Sequence, residues 1–349
     1  MQIPRKILIV KLGSIGDVVN TLPLVNALKE SRPDAKICWL IEPKSFPAVE
    51  GHRAVDRFIV HHRGGGLAAA RAALGEVRDF QPDLVIDLQR ILRSSFFTAL
   101  SGCRERLGFD RKRCKEFSWF FTNRKIPPRS PRRHMVLQYL EFAAFLGFSP
   151  AAVRFRLPVS ESDRSAARAL IPGFFLDPGF IALNIGAAKA ANRWPPARWS
   201  ELAGRILTRT PYSVVLTGGE RDAARGNAVG ERLGKEERVK DCTGQTSLKQ
   251  LGGLFTLSRA VVSGDTGPMH ISSALGIRTI GIFGPADPGR TGPFRHLDLV
   301  VRAGAACSPC GKRRCRSAQC LDEITAGMVF SKIFPSSRHA AGVTEKFND

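Results

Sequence analysis

Short apolar runs alternate with stretches of helical spacing in the first part of the chain. The run from Lys6 to Lys11 (KILIVK) is continuous, and Gly13 and Gly16 separate it from VVNTLPLVNALKES, whose apolar residues recur at helical spacing. Further runs begin at Ala35, Asp56 and Asp83, and another helical stretch begins at Leu67. Strands that alternate with helices predict a parallel sheet.

The same alternation restarts in the second half, where apolar runs begin at Phe180, Ser213, Arg259 and Arg278. The pattern predicts an α/β protein of two doubly wound, Rossmann-like domains in series. The length of 349 residues agrees, because ordinary domains hold about 150 residues. We place the domains at residues 1–160 and 161–334, and we interpret the polar residues 335–349 as a tail.

The alternation disappears between Arg104 and Arg133, where the sequence is basic and aromatic, with 11 Arg or Lys residues and three acids. We interpret this stretch as loops outside the core. Helical spacing returns from His134, where the next helix is predicted.

The net charge indicates what kind of partner to expect. The chain has 53 basic and 31 acidic residues, a net charge of +22, and such a field concentrates polyanions. A nucleic acid, an anionic membrane surface and a phosphorylated substrate all qualify. We expect no nucleic acid, because the sequence has no zinc-finger spacing, RNP-like motif or heptad zipper.

None of the apolar runs is long enough for a signal-peptide core or for a membrane span of about 20 residues. We therefore expect a cytoplasmic protein whose membrane contact is peripheral.

The loops that follow the strands are the predicted sites of chemistry, because doubly wound sheets bind ligands beyond the carboxyl ends of their strands. In the first of these loops, Gly13 and Gly16 would let a ligand approach the backbone closely. Asp17 follows where the helix should begin, and it is either a helix N-cap or a general base.

Two loops of the second half offer charged groups to a ligand. NIGAAKAANRWPPARW combines small residues with Lys189 and Arg193, which would offset the charge of a diphosphate or would simply be solvated. In TGGERD, Glu220 would accept the hydroxyls of a ribose or cap a helix.

The loop SGDTGPMH brings Asp265, Thr266, Gly267 and His270 to the end of a strand and the start of a helix. Such a helix terminus suits a phosphate, although a capped structural turn would have the same sequence.

The segment CSPCGKRRCRSAQC places Cys307, Cys310, Cys315 and Cys320 close together. Four thiols are enough ligands for Zn²⁺ or an iron–sulfur cluster, but the spacing fits no common finger. We favour free buried or paired thiols over a metal site.

Several of these motifs together resemble glycosyltransferase family 9, the ADP-heptose:lipopolysaccharide heptosyltransferases. The resemblance is carried by KLGSIGDVVNTLPLVNALKESRPDAKICWLIE, VIDLQRILRSSFFTALSG, NRWPPARWSELA and SGDTGPMHISSALGIRTIGIFGPADP. The resemblance covers the chain from residue 6 to residue 330, and its most specific part is the stretch from DTGPMHISSALG to IFGPADP.

This resemblance implies a GT-B fold whose N-terminal domain binds a phosphorylated glycolipid acceptor and whose C-terminal domain binds a nucleotide-diphosphate sugar, ADP-heptose. It implies inverting transfer across the cleft between them, at the inner membrane, with no metal and no cofactor. The absence of an Asp-x-Asp pair agrees with leaving-group stabilisation by protein cations. For individual residues, it implies that Asp17 is the catalytic base and that the nucleotide sugar contacts Glu220, Asp265, Thr266, Gly267 and His270.

The nucleotide loop departs from the family pattern. The family often has a lysine two residues before its Trp-Pro pair and two hydroxyl residues earlier in the loop, where this chain has Asn192, Ala187 and Ala188. The phosphate contacts would then fall to Arg193 or Lys189, and the donor sugar stays open.

Other functions of the same fold therefore remain, namely transfer of another sugar or epimerisation of a nucleotide sugar. A noncatalytic protein that binds a nucleotide, or binds anionic lipid through Arg104 to Arg133, is the alternative from a different class.

Overall fold

The computed structural model describes residues 4–148 and 152–335. The chain divides into two compact units, Met1–Ser160 and Glu161–Asp349. Apart from Pro335, the predicted tail lies outside the described residues. Within the described ranges, no helix has the length and apolar character needed to cross a membrane.

The N-terminal unit contains one parallel sheet. Its strands are β1 (Lys6–Val10), β2 (Lys36–Ile41), β3 (Arg57–Val60), β4 (Leu84–Asp87), β5 (Glu105–Gly108) and β6 (Arg124–Lys125). Its helices are α1 (Ile15–Ser31), α2 (Gly66–Phe80), α3 (Leu92–Leu100) and α4 (Met135–Phe145). The strands pair in the order β3-β2-β1-β4-β5-β6, and every pairing is parallel.

Burial explains why the central strands are aliphatic. Ile7 to Val10 of β1 are fully buried between β2 and β4, as expected for a parallel strand with helices on both faces of its sheet. Helix α1 packs against α4, and most of its residues are buried all around the helix, so its sequence is apolar without a clear polar face.

The prediction that Arg104 to Arg133 forms only loops was wrong. This stretch supplies β5 and β6, and its side chains of Leu107, Phe109 and Ile126 are buried. The two strands hold only four and two residues and include charged ones, so they lack the aliphatic run that marks β1.

A buried charged network holds this part of the unit together. The guanidinium of Arg113 is fully buried and donates to Asp110, to Glu141 Oε2 at 2.6 Å and to the carbonyl oxygen of Pro127 at 2.8 Å. Arg133 donates to the other oxygen of Glu141 at 3.1 Å. The network joins the segment between β5 and β6 to α4.

The C-terminal unit repeats the same architecture. Its strands are β7 (Phe180–Asn184), β8 (Ser213–Thr217), β9 (Val239–Asp241), β10 (Ala260–Gly264), β11 (Thr279–Phe283) and β12 (Val300–Arg302). Its helices are α5 (Glu161–Arg168), α6 (Pro196–Arg209), α7 (Ala223–Leu233), α8 (Leu248–Leu257), α9 (Gly267–Ala274), α10 (Pro288–Thr291), α11 (Gln319–Asp322) and α12 (Ala326–Ile333). The strand order is β12-β11-β10-β7-β8-β9, again entirely parallel.

Both sheets therefore have the doubly wound strand order, in which the chain starts in the middle, runs to one edge and then returns to build the other half. The order reverses between β1 and β4 in the first unit and between β7 and β10 in the second. Crevices beyond the carboxyl ends of strands at such reversals are the usual ligand sites of this fold.

Replacing Arg113 by Met should destabilise the protein, because Asp110 and Glu141 would keep buried carboxylates without their shared cation. We expect a loss of about 3–5 kcal/mol in the free energy of unfolding, measured by urea denaturation. The exposed neighbour Lys112 provides a control, since Lys112→Met should change stability by no more than about 0.5 kcal/mol. Equal stabilities of the two variants would contradict this account of the network.

Candidate functional site

Asp17 lies at the first reversal point, just beyond the carboxyl end of β1. The N-cap residue of α1 is Ser14, and Asp17 is the third residue of the helix. The N-cap interpretation of Asp17 is therefore wrong. A carboxylate in the first turn still interacts favourably with the helix dipole.

Three polar side chains surround the carboxylate of Asp17. The Tyr139 hydroxyl donates to Oδ1 at 3.4 Å, the Ser14 hydroxyl to Oδ2 at 3.4 Å, and Lys11 Nζ lies 3.5 Å from Oδ2. The Asp17 side chain is 34% exposed, whereas that of Lys11 is buried. The carboxylate is thus oriented from the protein side and remains accessible from solvent.

Lys11 is an unusual neighbour because it is a buried amine. Its Nζ lies 5.6 Å from the centroid of the Tyr139 ring, and burial lowers the pKa of this amine below its ordinary value. Lys11 and Tyr139 were not among the predicted site residues. Lys11 ends the first aliphatic run, where a lone lysine was a usable signal, whereas nothing in the sequence links Tyr139 to Asp17.

The two predicted glycines differ in what they do. A β-carbon on Gly13 would lie 3.1 Å from Ser45 Oγ, so a side chain there would crowd the loop. The Gly13 N–H also donates to Gln89 Oε1 at 3.4 Å. Gly16 is buried in the first turn of α1.

The loop after β4 lies on the other side of the reversal point and was missed as part of the site. Asp87 is buried and accepts hydrogen bonds from the Ser94 hydroxyl at 2.9 Å, the Thr98 hydroxyl at 3.1 Å and the Gln89 N–H at 2.9 Å. Burial raises the pKa of the Asp87 carboxyl. These bonds fix the loop whose Gln89 side chain holds Gly13.

At the second reversal point, Asn184, Ser263 and Thr266 form a hydrogen-bonded cluster around the loop between β10 and α9, which we call the hub. Thr266 is the N-cap residue of α9, and Pro268 lies in its first turn. The Thr266 hydroxyl lies 3.0 Å from the hydroxyl of Ser263, and the Asn184 amide donates to both hydroxyls, at 3.0 Å to Ser263 and 3.4 Å to Thr266. Asn184 is the last residue of β7 and Ser263 the penultimate residue of β10, and neither was predicted.

Asp265 joins this hub to the nucleotide loop of residues 184–192. The Asn192 amide donates to the Asp265 carbonyl oxygen and to its Oδ2, both at 3.1 Å, and Lys189 Nζ lies 3.8 Å from Oδ2. The structure thus brings Lys189 and Asp265 together. Asn192, noted in the sequence only as a missing lysine, is a buried hydrogen-bond donor that holds the loop in place.

The remaining predicted residues of the C-terminal unit lie around this hub. Gly267 and His270 belong to α9, and His270 is buried. Arg193, directly after the loop, donates to the carbonyl oxygen of Ala187 within it at 2.9 Å. Glu220 is exposed in the turn after β8, at the same edge of the sheet but without a contact to Asp265 among those described.

The cysteine segment lies beside the nucleotide loop. The Ala191 N–H donates to the carbonyl oxygen of Arg313 at 3.3 Å. Three of the thiols are exposed, and Cys320 is buried. Burial raises the pKa of Cys320, and the charges of the other three thiols raise it further. In residues 4–148 and 152–335, no three His, Cys, Asp or Glu side chains are arranged to hold a metal ion.

Comparison with known proteins gives a consistent match. The profile of glycosyltransferase family 9 (heptosyltransferase) matches residues 71–321. The lipopolysaccharide heptosyltransferase 1 of Pseudomonas aeruginosa is 30% identical over 324 residues, which cover 89% of this chain and 87% of that protein. The lipopolysaccharide core heptosyltransferase OpsX of Haemophilus influenzae is 25% identical, over 86% of this chain and 85% of its own.

Solved structures match over nearly the whole chain. The Escherichia coli heptosyltransferase WaaC with ADP has a TM-score of 0.72 and 26% identity, and the match covers 93% of this chain and 97% of that one. The E. coli ADP-heptose lps heptosyltransferase II has a TM-score of 0.76 and 23% identity, with coverage of 94% and 97%. These likenesses confirm the predicted GT-B fold.

The thiols should differ sharply in reactivity, because the thiolate is the reactive form. Hydrogen bonds from the backbone of Ala318 and from Ser317 lower the pKa of the exposed Cys315, whereas burial raises that of Cys38 to about 12 and that of Cys242 to about 11. At neutral pH we expect iodoacetamide to modify Cys315 first, and Cys38 and Cys242 only after unfolding, as followed by peptide mass spectrometry. Protection of Cys315 that ends on adding a chelator would instead indicate a bound metal.

Proposed function

The chain belongs to glycosyltransferase family 9 and is a glycosyltransferase, and from that premise we propose that it transfers heptose from ADP-heptose to the inner core of lipopolysaccharide. We further propose that the transfer is inverting and metal-independent, and that the acceptor is a phosphorylated glycolipid. The observation that carries the mechanism is the oriented, partly exposed carboxylate of Asp17 beside Lys11 and Tyr139.

The proposed role of Asp17 is to accept the proton of the acceptor hydroxyl as that oxygen attacks the sugar. A single displacement of this kind inverts the configuration of the anomeric carbon, and it requires a base but no enzyme nucleophile. Because Tyr139 contacts Oδ1 while Ser14 and Lys11 contact Oδ2, the carboxylate is held in one orientation without being buried. General-base catalysis requires this combination of fixed geometry and access.

The donor is proposed to bind at the hub of the C-terminal unit. The N-terminal end of α9 and the cation of Lys189 are suited to the diphosphate, whose negative charge grows as it leaves. Asp265, Thr266 and His270 are proposed to contact the nucleotide sugar, and Glu220 the ribose. The WaaC structure with ADP supports an adenosine diphosphate as the nucleotide part.

The replacement of a family lysine by Asn192 is the observation that favours a second candidate, transfer of a different sugar. The Asn192 side chain is a neutral amide that donates to Asp265, and it therefore offers no cation to the diphosphate. Mass spectrometry of nucleotide-sugar turnover, with and without a core-lipid acceptor, separates the alternatives. A heptosyltransferase consumes ADP-heptose only with acceptor, whereas an epimerase needs none.

We propose that the reaction takes place at the cytoplasmic side of the inner membrane, with the protein bound peripherally. The chain's net charge of +22 supports this, because both a phosphorylated acceptor and an anionic membrane attract a strongly basic protein.

Asp17→Asn should abolish basicity while keeping the shape of the side chain. We expect kcat to fall by about 10² to 10⁴, with the melting temperature and the affinity for ADP nearly unchanged. Single-turnover rates and thermal unfolding of the same preparation measure both effects, and Ser14→Ala is a control that removes one neighbour of the carboxylate but not the base. A folded Asp17→Asn enzyme with full activity would refute the assignment.

Asp265→Ala and His270→Gln should each weaken ADP binding by about 10- to 100-fold if these side chains contact the nucleotide. Isothermal titration calorimetry measures the affinity. Glu231→Ala, on the exposed side of α7, is the matched control and should leave it unchanged. Unchanged ADP affinity in both site variants would show that the nucleotide binds at another loop.

A further inference from the structure

We propose that the N-terminal unit binds an anionic membrane through one face, formed by Leu92, Phe96 and Leu100 of α3 together with Phe117 and Phe120. We call this surface the α3 face. The proposal deepens the proposed function, since it assigns a surface to the peripheral membrane contact expected there. Its evidence is a local inversion of the usual pattern of polar and apolar side chains.

Helix α3 buries small polar side chains together with Phe97, while three of its large apolar side chains are exposed. Ser94 and Thr98 face inward, where both donate to Asp87. Leu92, Phe96 and Leu100 follow each other at four-residue spacing and are exposed, so they form one stripe on the outer surface of the helix. A surface helix normally keeps its large apolar side chains on the buried side, so we expect this exposed stripe to contact an apolar partner.

Two aromatic side chains extend the stripe. Phe117 and Phe120 are 76% and 74% exposed. They belong to the segment beside α3, because the Ser95 hydroxyl lies 3.5 Å from the Ser118 carbonyl oxygen and the Leu92 N–H donates to Glu116 Oε2 at 3.1 Å. Of the nine large apolar side chains that are exposed in the described part of the chain, five belong to the α3 face.

The charges around this face favour an anionic membrane over a water-soluble protein partner. Arg104, Arg111, Lys112 and Lys115 are exposed in the same segment. The nearby acid, Glu116, already accepts the Leu92 N–H. Exposed Phe and Leu with a surrounding group of cations are the composition of interfacial membrane anchors, in which the rings enter the headgroup region and the cations meet lipid phosphates.

The α3 face also lies near the proposed acceptor site within the same unit. Helix α3 follows Asp87 at the carboxyl edge of the sheet, and the Lys115 N–H donates to the carbonyl oxygen of Arg90 at 3.0 Å. Gln89, next to Arg90, holds the loop that leads to Asp17. A glycolipid whose acyl chains stay in the membrane would thus present its sugars on the side where the proposed base lies.

The test is flotation of the full chain with vesicles of phosphatidylcholine, with and without phosphatidylglycerol. We expect binding only to the anionic vesicles, and weaker binding as salt rises. The double variant Phe117→Ser/Phe120→Ser should bind at least about tenfold more weakly, because it removes two inserting rings. Phe174→Ser, which changes a 53% exposed ring of the C-terminal unit, is the matched control and should bind like the wild type.

A charge-reversal variant, Lys112→Glu/Lys115→Glu, tests the second half of the argument and should lose binding to the anionic vesicles. Wild-type binding by either double variant would overturn the proposal. The proposal would also be overturned if the wild type did not bind vesicles but dimerised through these phenylalanines in sedimentation experiments, because a second copy of the chain would then cover the α3 face.

Transfer to a lipid-free acceptor oligosaccharide separates this proposal from the proposed function. We expect Phe117→Ser/Phe120→Ser to retain the wild-type rate on that soluble acceptor while losing vesicle binding. Absence of transfer by the wild type would refute the proposed function, and the vesicle measurements would still decide the role of the α3 face.

Discussion

Reversal of strand order is the constraint on which both units depend. A parallel sheet with helices on both faces leaves no exposed surface for polar side chains, and such groups can reach a ligand only beyond the strand ends. At the reversal points, neighbouring loops diverge to opposite faces and leave room between them. At the first point Asp17 follows β1 and Asp87 ends β4, and at the second Asn184 ends β7 and Asp265 follows β10.

Buried polar side chains form a hydrogen-bonded network at each of these points. Asp87 accepts three hydrogen bonds at 2.9–3.1 Å, and Asn184 bonds to the hydroxyls of Ser263 and Thr266. A buried polar group without a partner is costly, and each such network therefore favours a single loop conformation. Lys11 follows the same logic, since burial disfavours its charged form while the Asp17 carboxylate favours it.

The sequence predicted the parts of the fold that depend on local pattern. Aliphatic runs revealed the central strands, but β5, β6, β9 and β12 were missed. None of these four strands contains three consecutive apolar residues, as the equally short β3 and β4 do. A buried Arg113 looks like a surface charge in a sequence, since its burial depends on Glu141, which lies 28 positions later.

The candidate site shows the same limit. Asp17 and the loop from Asp265 to His270 were identified by their positions after strands, and their proposed roles remain predictions. Tyr139 is 122 positions from Asp17, and Asn192 is 73 positions from Asp265, so neither contact has a local signal. The sequence could thus indicate both candidate loops, whereas the groups that orient their side chains became visible only in the structure.

The bond between Asn192 and Asp265 has a further consequence for the thermodynamics of donor recognition. The protein's own groups tie the nucleotide loop to the N-terminal end of α9 through the two 3.1 Å hydrogen bonds of the Asn192 amide. A nucleotide bound at the proposed site would not have to order this loop, so the entropy of fixing the loop would not be subtracted from its affinity. Such preorganisation would compensate in part for the cation that position 192 lacks.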